Sequence, residues 1–223
     1  MDLPTQGRAE LATVRVRSVA SILEVLTEWG FDPSHILRAA ALDQICFPIW
    51  RTSFRTGRSA GSSGKPPLRP VREGFGLRVG SKLGAESVGL PGLVSLHAST
   101  VREALQVIVE GLRTRDTGGR VSLDVRDDTA SFRFVVVAPN VEAADQIADG
   151  ALAICFNLMK GLCGAGWRPE KVRLVRDAPR DPVPFNWFFE ASIEHSAACA
   201  ALCSPQPRWM SVRVSTGPPT RKS

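Results

Sequence analysis

The sequence lacks any run of 18 apolar residues, so no helix is expected to span a membrane. It lacks an apolar core near its start: Met1 to Val14 mixes acids and bases, which argues against secretion and for a cytoplasmic location. It lacks a disulfide framework. Its five cysteines are an odd number at irregular spacing, and reduced thiols are the simpler expectation. It also lacks a nucleotide fingerprint. The glycines at 74, 76, 80 and 84 follow neither G-x-G-x-x-G nor a P-loop, and a turn leading into a helix is expected there instead. No repeat of about 20 to 50 residues is visible.

What is present is enough for a core. Apolar residues make up 43% of 223 positions, which excludes wholesale disorder. The net charge of +6 is unevenly spread. Arg51, Arg55, Arg58, Lys65, Arg69 and Arg72 share a stretch with no acid, and Arg208, Arg213, Arg221 and Lys222 lie near the other end. The remainder is mildly acidic, so the foldable part offers no cation cluster for phosphate.

Periodicity divides the chain. Val19, Ile22, Leu23, Leu26 and Trp29 follow a helical spacing that Gly30 stops, and Asp32-Pro33 opens a second helix with Ile36, Leu37 and Ala40 on one face. Residues 1–46 are therefore expected to hold a helical hairpin. Residues 47–72, rich in Arg, Ser, Gly and Pro, have no period and are expected to be a disordered or out-of-frame linker. Thr100-Val-Arg-Glu103 forms a capping box ahead of a helix with Leu105, Ile108, Val109 and Leu112 on one face.

Val121, Leu123 and Val125 alternate, Asp127-Asp128 turns the chain, and Phe132, Phe134 and Val136 alternate back. A long helix follows Pro139-Asn140, with Ala144, Ile147, Ala151, Ile154, Leu158 and Leu162 in near-heptad spacing and Gly164 as its end. A strand is expected over 171–176, a helical turn over 185–189 and a strand over 192–195, with a disordered tail at 196–223. The fold class is α+β: the hairpin plus a small antiparallel sheet packed with one long helix. Residues 73–195 are its α+β domain.

Reactive residues are sparse. His195, Cys199 and Cys203 would share a face if helical, but a fourth ligand is missing and no metal is assigned. Cys155 and Cys163 belong to the apolar side of the long helix, where a cysteine acts as a small hydrophobe. His97 has no carboxylate placed to orient it, so no catalytic set and no cofactor is assigned. Asp145 and Asp149, four apart on the long helix with Asn157 nearby, could bind a cationic group or simply favour the helix dipole.

Residues 73–193 hold a set of short motifs: Gly74-Phe-Gly-Leu-Arg-Val-Gly80, Leu83-Gly84 and Glu86-Ser-Val-Gly-Leu-Pro-Gly92. Ser99-Thr-Val-Arg-Glu-Ala-Leu105, Ala144-Asp-Gln-Ile-Ala-Asp149 and Leu162-Cys-Gly-Ala-Gly-Trp167-Arg-Pro169 follow. With these motifs the stretch resembles the N-terminal effector domain of AraC-type transcription regulators. The resemblance implies a domain that senses a small-molecule effector, dimerises and catalyses nothing. Asp145, Asp149, Asn157 and Trp167 are the candidate effector contacts.

The chain departs from the family at residues 50–72 and after Cys203, where composition resembles out-of-frame translation and no helix-turn-helix fits. A sensor truncated before its DNA-binding domain is the leading expectation, with no base-specific DNA contact and a homodimer or a full-length regulator as partner. A stand-alone module that binds full-length regulators is second, and an enzyme third.

Overall fold

A computed structural model describes residues 20–30, 72–113, 118–126, 129–137, 141, 143–205 and 214. The second helix of the expected hairpin, the linker up to residue 71, Asp127-Asp128 and Pro139-Asn140 lie outside the described residues. The described helices are α1 (20–28), α2 (Phe75–Ser81), α3 (Leu90–Ser95), α4 (Val101–Arg113), α5 (Ala144–Cys163) and α6 (Val183–Phe189), with a 3-10 turn at Ala85–Val88. The strands are β1 (Gly119–Arg126), β2 (Thr129–Val136), β3 (Lys171–Arg173), β4 (Ser192–Glu194) and β5 (Ala200–Pro205).

The fold is α+β. Its five-stranded sheet has the order β1-β2-β5-β3-β4. All neighbours are antiparallel except β3 and β4, which run parallel and are joined through α6. That parallel pair departs from the antiparallel expectation. Period-two patterning shows which side of a strand is buried but not the direction of its partner.

The β1–β2 hairpin has the expected phase: Leu123 faces Phe132, Val121 faces Phe134 and Val125 faces Ala130. Phe132 and Phe134 are buried on the side that meets α5. The capping box forms with a one-residue offset. Thr100 Oγ1 accepts from the Glu103 amide at 3.3 Å, while the Glu103 carboxylate accepts from the Ser99 amide at 3.0 Å.

Residues 196–223 contain structure where a disordered tail was expected. β5 is the central strand, and Ala200, Ala201, Leu202 and Ser204 are buried. Val214 is also buried and belongs to the core cluster. The strand escaped notice because Ala-Ala-Leu-Cys-Ser carries small residues and no alternation.

The long helix α5 organises the core. It starts after Ala143, whose φ of 53° is left-handed, and stops at Gly164 with φ 96°. Ile147, Leu158 and Leu162 are buried as the near-heptad spacing implied, while Ala151 and Ile154 are only half-buried. Leu152, Ala153, Cys155, Phe156 and Met159 are buried as well. A helix apolar around most of its circumference packs on more than one side. Here the sheet and α2 are among its neighbours.

The contact of α2 with α5 explains two glycines. A Cβ at Gly76 would collide with the Gln146 carbonyl, and one at Gly80 with the Gly150 carbonyl. Residues four apart share a helix face, so this pair lets the two backbones touch. The helix α1 packs beside α2. Trp29 meets Phe75 edge-on at 5.4 Å, and Lys82 Nζ reaches the Glu24 and Glu28 carboxylates at 2.8 and 2.9 Å.

Candidate functional site

Four candidate contacts were drawn from the sequence, three on α5 and one just beyond it. The structure separates them. Asp149 is 1% exposed and lies against Arg176, whose side chain is 6% exposed. Arg176 Nη1 donates to Asp149 Oδ2 at 3.0 Å, and Nη2 approaches Glu73 Oε1 at 3.6 Å. The guanidinium also lies over the Phe185 ring, 5.3 Å from its centroid. One side chain thus ties α5 to the start of α2 and to α6.

Burial pushes the Asp149 carboxyl up to about 7; Arg176 pulls against that shift and Asp145 adds to it. Asp145 is half-buried beside this cluster. Arg176 was missed in the sequence, although a signal existed. It stands in phase with Val172 and Leu174, both buried, so strand alternation placed a cation on the inward side.

Asn157 is committed to holding α2. Its Nδ2 donates to the carbonyls of Gly80, Ser81 and Leu83 at 3.4, 3.0 and 2.7 Å. At the other end of α2, Gln146 Oε1 accepts from the Gly76 amide at 3.0 Å. Helix ends leave backbone groups without intrahelical partners, and here two side-chain amides of α5 supply them at both ends of one helix.

Trp167 sits past the C-terminal end of α5 in an aromatic cluster. Its ring lies 6.0 Å from Phe156, which meets Phe188 at 5.0 Å and Phe189 at 5.5 Å. The indole Nε1 is shut off from solvent with no acceptor among the described residues. The Lys160 ammonium lies 5.2 Å from the Phe156 ring centroid. Arg168 braces the loop: Nη1 donates to the Ala165 and Trp167 carbonyls at 2.8 Å each, while Nε and Nη2 grip the two Glu190 oxygens at 2.9 and 3.0 Å.

The remaining reactive residues do not converge. No group of three His, Cys, Asp or Glu among the described residues could hold a metal ion. Cys203 lies on the extended strand β5, so the helical face imagined for His195, Cys199 and Cys203 does not form. Burial pushes the Cys155 and Cys163 thiols up to about 12, which removes them as thiolate nucleophiles near neutral pH. No described helix is long and apolar enough to cross a membrane.

Residues 71–210 match the sequence profile of the family described as the arabinose-binding domain of AraC transcription regulator, N-term. That span is more than half the chain. The chain belongs to this family. Among solved structures it resembles the transcriptional regulator CdpR from Pseudomonas aeruginosa, with TM-score 0.61 and 16% identity. The similarity covers 89% of this chain and 57% of that one, and at this identity it concerns the fold alone. No curated protein sequence matches the chain. The AraC-type resemblance drawn from the motifs therefore holds, and the family places the chain in transcription regulation.

Proposed function

We propose that this chain senses a small-molecule effector and self-associates as part of AraC-type transcription control, with no catalytic step of its own. The observation that carries the reading is the family match, which spans every described element from α2 to β5. The partner is a second copy or a full-length regulator. Among the four candidate contacts, the geometry favours Trp167. Its donor has no acceptor among the described residues, whereas the Asn157 amide is occupied by three carbonyls and Asp149 is occupied by Arg176. Asp145 is proposed to act on Asp149 through charge rather than by touching the effector.

A ligand that binds only the folded state raises stability in proportion to the logarithm of its concentration. A melting-temperature screen against small metabolites is expected to find at least one compound that stabilises the chain in a saturable way. A broad screen without any such compound would contradict sensing. Sedimentation equilibrium is expected to show a dimer, and a monomer at every concentration would contradict self-association.

A further inference from the structure

We propose that the β1 edge of the sheet pairs antiparallel with β1 of a second copy of this chain, joining two five-stranded sheets into one. The pairing sets Arg120 opposite the partner's Asp124. This rests on the self-association reading and names the surface for it.

Three observations carry the pairing. The first is the edge itself. β1 stands at one end of the sheet and β4 at the other. β4 is three residues long, and so short an edge offers little to an incoming strand. β1 is eight residues long, holds no proline and pairs with β2 without a bulge. It therefore carries none of the backbone devices that blunt an edge.

The second is the direction of its backbone groups. The Val137 amide donates to the Gly118 carbonyl, which fixes the phase of the β1–β2 ladder. Bonded and unbonded pairs alternate along an antiparallel ladder. Arg120, Ser122 and Asp124 thus turn their N–H and C=O groups toward β2, while Val121 and Leu123 turn theirs away from it. No strand lies beyond them among the described residues. Their side chains are half-buried against the core, on the face of Phe134 and Phe132, so a second β1 would extend that apolar layer.

The third is charge on the opposite face. Arg120 is exposed, and its side chain has no ion pair among the described residues. The Asp124 carboxylate meets Arg133 Nη2 at 2.7 Å and Arg126 Nε at 3.0 Å, both on Oδ2. That oxygen is shut off from solvent while the side chain is 26% exposed, which leaves Oδ1 within reach of a further donor.

These groups select one register. With Val121 opposite the partner's Leu123, the outward backbone groups bond in pairs and Ser122 meets its own copy on the two-fold axis. Arg120 then lies across from the partner's Asp124, and the symmetry repeats the pair. Centring the strands on Leu123 instead sets Arg120 against the partner's Arg126, and centring them on Val121 leaves Asp124 facing the partner's Gly118. Opposite charges across an antiparallel pair stabilise it and like charges oppose it. The two-fold uses each β1 once, so the product is a closed dimer and not a fibre.

The experiment uses the full chain. Ser122→Cys sets two thiols across the two-fold, in an unbonded pair whose Cα atoms are about 4.5 Å apart and within disulfide range. Mild oxidation is expected to cross-link this variant much faster than the wild type, with its own cysteines, or Arg126→Cys. In this register position 126 lies about 26 Å from its counterpart. Arg120→Asp sets acid against acid in both pairs. Sedimentation equilibrium is expected to show its dimer dissociation constant raised about tenfold. The melting temperature of each variant is the folding control.

A wild-type dimer in which Ser122→Cys cross-links no faster than Arg126→Cys would overturn the edge pairing and leave self-association standing. A dissociation constant unchanged by Arg120→Asp would overturn the register. A monomer at every concentration would overturn both the pairing and self-association, and leave the edge to a strand of a different protein.

Discussion

The two ends of α5 are bordered by glycines for opposite reasons. Toward its N-terminal end, Gly76 and Gly80 of α2 press against the Gln146 and Gly150 carbonyls, where any side chain would strike backbone. At its C-terminal end, Gly161, Gly164 and Gly166 face open space. The first end is also closed electrically, because Asp149, Arg176 and Glu73 meet there and Arg176 covers Phe185. At the second end the Trp167 indole N–H has no acceptor among the described residues. One helix thus serves as a packed beam at one end and as an accessible edge at the other. Composition alone does not separate the two, since both ends are glycine-bearing and apolar.

The largest effect should come from the closed end. Arg176→Met leaves Asp149 buried beside Asp145 and Glu73 without its cation, and removing one partner of a buried pair costs about 3–5 kcal/mol. Urea unfolding at pH 8 is expected to show that loss, and a change below 1 kcal/mol would mean that water reaches the pair. The same cluster sets a pH dependence. The folded Asp149 value, about 7, lies above its ordinary one of 3.8. The folded state therefore holds the proton more tightly. This group's contribution to stability is fully present below about pH 4 and is lost as pH rises through about 7. Asp149→Asn should flatten that part of the stability profile, and an unaltered slope would assign it to other groups.

Next in size is Gly80→Ala. The added methyl group meets the Gly150 carbonyl and the Ala153 side chain, so α2 must lift from α5. Overpacking of this kind costs about 1–3 kcal/mol, read as a lower urea midpoint. An unchanged midpoint would show that the seam is loose.

The smallest effect has the opposite sign. Gly161→Ala should stabilise the chain by about 0.5–1 kcal/mol, because the helix gains propensity and nothing obstructs the methyl group. A loss of stability there would erase the contrast between the two ends.

Local features were legible in the sequence and long-range ones were not. The span of α5, the phase of the β1–β2 hairpin and the capping box at Thr100–Glu103 all follow from spacing within a few residues. β5 stayed hidden because a central strand of small residues shows no alternation. The parallel β3–β4 pair was hidden as well, since pairing direction is set by the crossover through α6.

The candidate site was legible in part. Asp149 and Asn157 were singled out as polar groups on an apolar helix, and the structure shows what each one holds. The partner of Asp149 lies 27 residues away and the partners of Asn157 at least 74, separations that no periodicity spans. Trp167 entered through the family motif, while its unsatisfied donor is a property of the folded chain alone. Gly161 was not singled out in the sequence, and only the packing shows that its surroundings are open.

Amide hydrogen exchange tests the contrast between the two ends of α5 most directly. Amides at 146–153 are expected to exchange only through global unfolding, and those at 160–167 through local opening at much lower free energy. Equal protection at both ends of α5 would contradict the account.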